Sequence, residues 1–337
     1  METLKLSVYE EESINKAAQI LKDGGIVAIP TETVYGLAAN ACDEDAIKKV
    51  FEAKGRPQDN PLIVHIDSID MMEKVAKNIP EKAYICAKKF WPGPLTMVLE
   101  SSGYVSEKVS AGLNTVAVRM PADETARKII AAAKLPLAAP SANVSGSPSP
   151  VSYQHVLNDL NGKIDAVIMG ERCRVGVEST VISVTGDNAR LLRPGAVTKE
   201  MLSEIFPDII IDKAILTEPE KDQKVASPGM KYKHYAPKGE LYLIEGNSEN
   251  YCRFVNNKND GVAVCFKEEA NNIDVKTFVY GNENNEESMA YRVFEILRDL
   301  DKENINKAYV HAPGKSGVGL AVYNRLIRAC AFKVIKL

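Results

Sequence analysis

GIVAIPTETVYGLAANA (residues 25–41) places an apolar run, Ile26–Ile29, directly before Pro30 and a cluster of hydroxyls with a tyrosine. The run reads as a strand, and the polar stretch falls where a strand ends and the chain turns. Ligands sit at such strand ends in open α/β sheets. An ordinary capped turn, with Thr31 or Thr33 holding backbone groups, uses the same residues. Upstream, Ser13–Lys22 reads as a helix: Ala17, Ile20 and Leu21 share one face, and Gly24-Gly25 ends it. Downstream, Asp45–Ala53 reads as a second helix with Ile47, Val50 and Phe51 inward. Strands follow over Leu62–Ile66, Thr96–Glu100 and Thr115–Met120, and the alternation runs to about Ile211. Strands alternating with helices give an α/β fold class.

A second unit is expected from about Glu240. Its strands read LYLI (241–244), GVAVCF (261–266), TFVY (277–280), AYVHA (308–312) and FKVIKL at the end. Helices are predicted over Glu286–Leu300 and about Val318–Ala331, the first with Ala290, Val293, Phe294, Leu297 and Leu300 at helical spacing. Short apolar strands with helices between them suggest a mainly parallel, Rossmann-like or flavodoxin-like sheet. The expected division is therefore 1–212, a linker over 213–239, and 240–337. The linker ends in SPGMKYKHYAP (227–237), whose two tyrosines and histidine either dock it on a domain or reach the site.

A chain of 337 residues with 45% hydrophobic and 26% charged residues can bury two cores without staples. The net charge is −3, and the residues from 240 on carry 13 basic and 14 acidic side chains. Neither unit is basic, which excludes a bulk electrostatic footprint for nucleic acid. The six cysteines form no CxxC, and no metal-ligand spacing joins them to a histidine. Scattered cysteines, no signal pattern and no membrane-length apolar run predict a cytoplasmic protein with no membrane partner and no dedicated protein metal site.

Several segments could carry chemistry. In KGRPQDNPLIVHI (54–66), Gly55 and Pro57 fix a turn from which Lys54 and Arg56 could both aim at a polyphosphate, although a solvated charged turn is the commoner outcome. His65 shares a strand face with Ile63, while Leu62, Val64 and Ile66 take the other; a lone strand histidine is usually structural. In TVAVRMP (115–121), Thr115, Ala117 and Arg119 share a face. An arginine inside a buried strand needs an anion, either a local carboxylate or a substrate. PSANVSGSPSP (140–150) offers hydroxyls and backbone N–H groups after an apolar strand, as a flexible loop or a lid. GVESTVISV (176–184) starts a strand with Ser179 and Thr180, and LLRPGAV (191–197) puts Arg193 at a strand end. PGKSGVG (313–319) only imitates a P-loop, because Tyr309 stands where the first glycine is required. No paired carboxylates stand out. The common theme is an anionic ligand held by cations and hydroxyls, with catalysis by placement.

The ordered set PTETVYGL, KGRPQDNPL, FWPGPLT, VAVRMP, APSANVSG, GVESTV, LLRPGA and SPGMKYKHYAP resembles the YrdC-like family, in its long two-domain threonylcarbamoyl-AMP synthase form. The resemblance covers nearly the whole chain and implies a twisted-sheet domain with a cationic cavity. It implies the substrates ATP, L-threonine and bicarbonate, the products L-threonylcarbamoyl-AMP and pyrophosphate, and onward transfer to tRNA by a partner transferase. Within that resemblance, Lys54 and Arg56 are the catalytic cations and phosphate ligands. Asn60, Thr115, Ser141, Asn143, Ser149 and Arg193 join them on ATP. Thr33, His65, Arg119, Ala139 (through its backbone) and Ser179 form the threonine pocket. Tyr232 or Tyr235 reaches back over the nucleotide, and Mg²⁺ accompanies ATP without a carboxylate cage. Two other readings stay open: a carbamoyl-adenylate-forming enzyme, and an RNA-binding module without catalysis that makes weak tRNA contact. The second unit is expected to be structural or gating.

Overall fold

The expected alternation resolves into two sheets in a computed structural model that describes residues 2–58, 60–218 and 235–337. The first sheet is twelve-stranded: β1 (Leu4–Ser7), β2 (Val27–Ile29), β3 (Gly36–Asn40), β4 (Ile63–His65), β5 (Ala76–Lys77), β6 (Leu95–Ser101), β7 (Thr115–Arg119), β8 (Leu137–Ala138), β9 (Ala166–Met169), β10 (Thr180–Ser183), β11 (Arg190–Arg193) and β12 (Ile210–Ile211). They lie in the order β1-β9-β2-β3-β8-β4-β7-β6-β10-β11-β12, with β5 added against β6. The pairing is mixed. β4 and β7 run parallel with His65 opposite Arg119 and Ile63 opposite Ala117, while β3 and β4 flank the antiparallel β8.

Register sorts the side chains. Val64, Val116 and Val118 enter the large core, whereas Ile63 and Ala117 join a smaller cluster with Val98, Val181, Leu192 and Ala214 on the opposite face. The alternation read for 62–66 and 115–119 therefore holds. Helix Glu44–Lys54 starts where the Asp43 carboxylate accepts from the N–H groups of Asp45 and Ala46, a cap worth about 1 kcal/mol. It stops where Gly55 takes a left-handed φ of +59°. Lys54 thus belongs to the last helical turn and Arg56 to the loop beyond it.

The second sheet comprises β13 (Glu240–Glu245), β14 (Val262–Phe266), β15 (Thr277–Gly281), β16 (Lys307–His311) and β17 (Val334–Lys336), ordered β15-β14-β16-β13-β17. Every pair in it is parallel, as expected. Helix Ser248–Lys258, unread in the sequence, connects β13 to β14. Helix Glu286–Lys302 runs two residues past its predicted end, Gly319–Ala329 falls just inside its predicted span, and every residue of the latter is buried. One continuous hydrophobic cluster runs from Ile26 and Leu37 in the first unit to Phe294 and Leu326 in the second. Gly176, at φ +85°, lets the two backbones meet: a Cβ there would lie 2.3 Å from the Ala290 carbonyl oxygen. The PGKSGVG turn cradles an internal carboxylate, since Gly319 N–H donates to Glu286 Oε2 at 2.7 Å. No helix among the described residues is long and apolar enough to cross a membrane.

Candidate active site

The turn after β2 is both a capped turn and a wall. Thr31 Oγ1 donates to the Val34 carbonyl oxygen at 2.6 Å and accepts from Thr33 N–H and Val34 N–H at 3.2 Å, and its hydroxyl meets that of Thr33 at 2.9 Å. A bridge from Gly36 to Ser141 then brings the 140–150 loop beside it. Between these segments and the ends of β4, β7 and β11 lies a partly open cavity.

Thr33, His65, Arg119, Ala139 and Ser179 all line this cavity. Arg119 is 4% exposed and meets Glu32, equally buried, at 2.7 Å. The contact is one of charge rather than of aligned hydrogen bonds. Arg119 Nε and Nη2 and both Glu32 oxygens lack hydrogen-bond partners among the described residues. The local carboxylate exists, and the guanidinium keeps donors for an incoming anion. His65 Nδ1 lies 3.3 Å from the Ile63 carbonyl oxygen, and its buried Nε2 has no partner among the described residues. Burial first, then the Arg119 charge, pushes its pKa down to about 3, so the imidazole is neutral. With its proton on Nδ1, it presents Nε2 as an acceptor. Ser179 Oγ lies 2.7 Å from Thr96 Oγ1 and accepts from Arg193 Nη2 at 3.1 Å.

Arg56, Ser141, Asn143, Ser149, Arg193 and Tyr235 line the same cavity. Arg193 donates from Nε to the Ser179 carbonyl oxygen at 3.0 Å; burial lowers its pKa to about 10 against the opposing pull of Glu178. Tyr235 is buried, with its ring 5.0 Å from that of Phe294 in the second unit. Tyr232 lies outside the described residues.

Three expected contacts sit elsewhere. Lys54, read as a phosphate ligand, is 2% exposed and stands behind the wall: its ammonium donates to the carbonyl oxygens of Ser141 and of Asn143, the latter at 2.7 Å. The helical turn ended by Gly55 turns it there. Burial and then the neighbouring Arg56 hold its pKa well below the ordinary lysine value. Lys54 clamps the loop, and Arg56 alone of the pair faces the cavity. Asn60 is also buried off the cavity, its carbonyl oxygen 3.4 Å from Arg56 Nη2. Thr115 starts β7 opposite Glu100, roughly 13 Å along the strand from Arg119 at about 3.3 Å per residue.

Two carboxylates were missed. Glu32 pairs with Arg119. Glu178 lines the cavity, accepts from Ser149 Oγ at 2.5 Å and pairs with Arg325 of the second unit at 2.9 Å. Burial works to raise the Glu178 pKa, but Arg325 and then Arg193 hold it below the usual carboxylate value. Glu178 sits inside GVESTV, next to the expected Ser179, but nothing local marks its partner 147 residues away. Among the described residues, no group of three or more His, Cys, Asp or Glu side chains could hold a metal ion.

Comparison with known proteins bears on this cavity. The family model described as "Telomere recombination" matches residues 19–195, and that described as "Threonylcarbamoyl-AMP synthase, C-terminal domain" matches residues 197–331. A threonylcarbamoyl-AMP synthase of Pyrococcus abyssi is 45% identical over 97% of this chain and 96% of its own. One of Bacillus subtilis is 42% identical over 97% and 95%. The crystal structure of the P. abyssi Sua5 protein complexed with L-threonine superposes with a TM-score of 0.90 at 41% identity, covering all of both chains.

Proposed function

The chain belongs to the threonylcarbamoyl-AMP synthase family, and on that premise we propose that its cavity acts as a nucleotidyltransferase, joining L-threonine, bicarbonate and ATP into L-threonylcarbamoyl-AMP with release of pyrophosphate. The carrying observation is that Arg119 and Arg193 line one cavity together with Ser179, whose hydroxyl accepts from Arg193. Arg119 takes the threonine carboxylate on its unfilled Nε and Nη2 donors. Neutral His65 accepts from the threonine hydroxyl or amino group at Nε2. The amine and bicarbonate form N-carboxythreonine with loss of water, and its carbamate oxygen attacks the α-phosphorus while the bond to pyrophosphate breaks. A carbamate is short-lived, so confinement beside ATP raises its effective concentration and keeps water out. Arg56 and Arg193 stabilise the charge growing on the leaving group. Lys54 serves indirectly by holding the Ser141–Asn143 backbone.

Mg²⁺ bound with ATP would neutralise phosphate charge. Glu32 and Glu178 are each committed to an arginine, so its ligands would be phosphate oxygens and water. The product is an activated acyl group, suited to a partner transferase that acts on tRNA. Pyrophosphate release measured with each substrate omitted tests the reading. Release should require threonine and bicarbonate together. Release indifferent to threonine would overturn it, and release driven by carbamoyl phosphate alone would point to a carbamoyl-adenylate former.

A further inference from the structure

We propose that Arg325, in the second unit, is a positioning residue for ATP in the cavity, acting through Glu178 on Ser149. The proposal rests on the reading of the cavity as an ATP site. Arg325 is carried by helix Gly319–Ala329 and is fully buried, at 0% exposure. It does not line the cavity, yet it ties together two segments that do. Its Nε donates to Glu178 Oε2 at 2.9 Å and its Nη2 to the Glu178 carbonyl oxygen at 3.3 Å. Its Nη1 donates to the carbonyl oxygen of Pro194, next to Arg193, at 2.8 Å. A guanidinium has a planar fork of donors, so one side chain sets the spacing of both segments.

The consequence reaches Ser149 through its proton. Glu178 Oε1 accepts from Ser149 Oγ at 2.5 Å. A serine hydroxyl has one hydrogen, and an ionised carboxylate can only accept. With that hydrogen committed, Ser149 offers lone pairs alone to the cavity. It therefore takes a donor from the nucleotide, a sugar hydroxyl or the base amino group, rather than a phosphate oxygen. Arg325 maintains this polarity by compensating the buried Glu178 charge. Without it, buried Glu178 keeps only the weaker Arg193 charge against its desolvation and is driven towards its protonated form. A protonated Glu178 can donate to Ser149 and release the serine hydrogen, which reverses what the cavity presents.

The test compares wild-type protein with Arg325→Lys, Arg325→Gln and Glu178→Gln, each checked for folding by circular dichroism. Pyrophosphate release is followed against ATP and, separately, threonine. Arg325→Gln and Glu178→Gln should raise KM for ATP by about tenfold or more, as expected for a lost charge-assisted hydrogen bond. KM for threonine should move less than about twofold, since Arg119 and His65 are untouched. Arg325→Lys, keeping the charge without the fork, should fall between them and wild type. A purely structural role would reduce the active fraction and leave both KM values alone, and that result overturns the proposal. Should Arg325→Gln fail to fold, the isosteric Glu178→Gln decides by the same split. Wild-type protein without ATP-dependent release would instead sink the functional reading beneath it.

Discussion

Replacing Glu32 by glutamine removes one charge from the Arg119 pair and almost nothing else. Both side chains are 4% exposed, and they meet at 2.7 Å. Losing one member of such a pair leaves a buried uncompensated charge, which costs about 3–5 kcal/mol. With about 2.1 cal/mol/K of unfolding entropy per residue over 337 residues, each kcal/mol moves the midpoint by about 1.4 °C, so it should fall by about 4–7 °C. The doubly substituted Glu32→Gln/Arg119→Met protein lacks both charges and should be more stable than the single variant. Threonine separates the roles. At about one hundred times its Kd, a ligand that binds the folded state adds about 2.7 kcal/mol. That gain should appear in Glu32→Gln, where the ligand carboxylate replaces the missing anion, and vanish in the double variant. Thermal unfolding by circular dichroism with and without threonine reads all of this. A Glu32→Gln protein as stable as wild type, or a double variant still stabilised by threonine, would refute the reasoning.

Lys54→Met should leave the Ser141 and Asn143 carbonyl oxygens without their donor, at about 1–3 kcal/mol each; the expected outcome is a fall of about tenfold or more in kcat/KM for ATP, with the cavity cations intact. His65, held at about 3 in the folded protein, stays neutral where the unfolded chain's histidine takes a proton. Its pKa is lowered on folding, so the linked stability is complete above about pH 6.5 and declines as pH falls towards 3, by about 1.4 kcal/mol per unit. His65→Asn should flatten that part of the stability profile, measured by urea unfolding between pH 7 and 4.5. Gly176→Ala combines a left-handed φ with a Cβ 2.3 Å from the Ala290 carbonyl oxygen. It should cost at least about 1–2 kcal/mol from backbone conformation alone and lower the thermal midpoint by separating the two units.

Local pattern carried much of this site. The alternation in LIVH and TVAVR gave the faces of His65 and Arg119, because a strand's period of two follows from its backbone. What the pattern could not give was pairing over distance. Glu32 was visible beside Thr33, yet its bond to Arg119 depends on β2 and β7 converging in the folded sheet. Glu178 and Arg325 are joined only when helix Gly319–Ala329 packs against the first unit. Lys54 shows the opposite error. The KGR tripeptide suggested two cations aimed together, but Gly55 ends a helix between them and the two side chains part. Neither the role of Glu178, which lines the cavity, nor that of Glu32, which pairs with one of its arginines, is legible locally, because each answers an arginine far along the chain rather than a neighbour.

A crystal structure of the protein with ATP and L-threonine bound tests the central claim most directly. The account places the threonine carboxylate within hydrogen-bond distance of Arg119 Nε or Nη2, with the triphosphate against Arg56 and Arg193 in the same cavity. Threonine seated away from Arg119, or ATP bound outside this cavity, would contradict it.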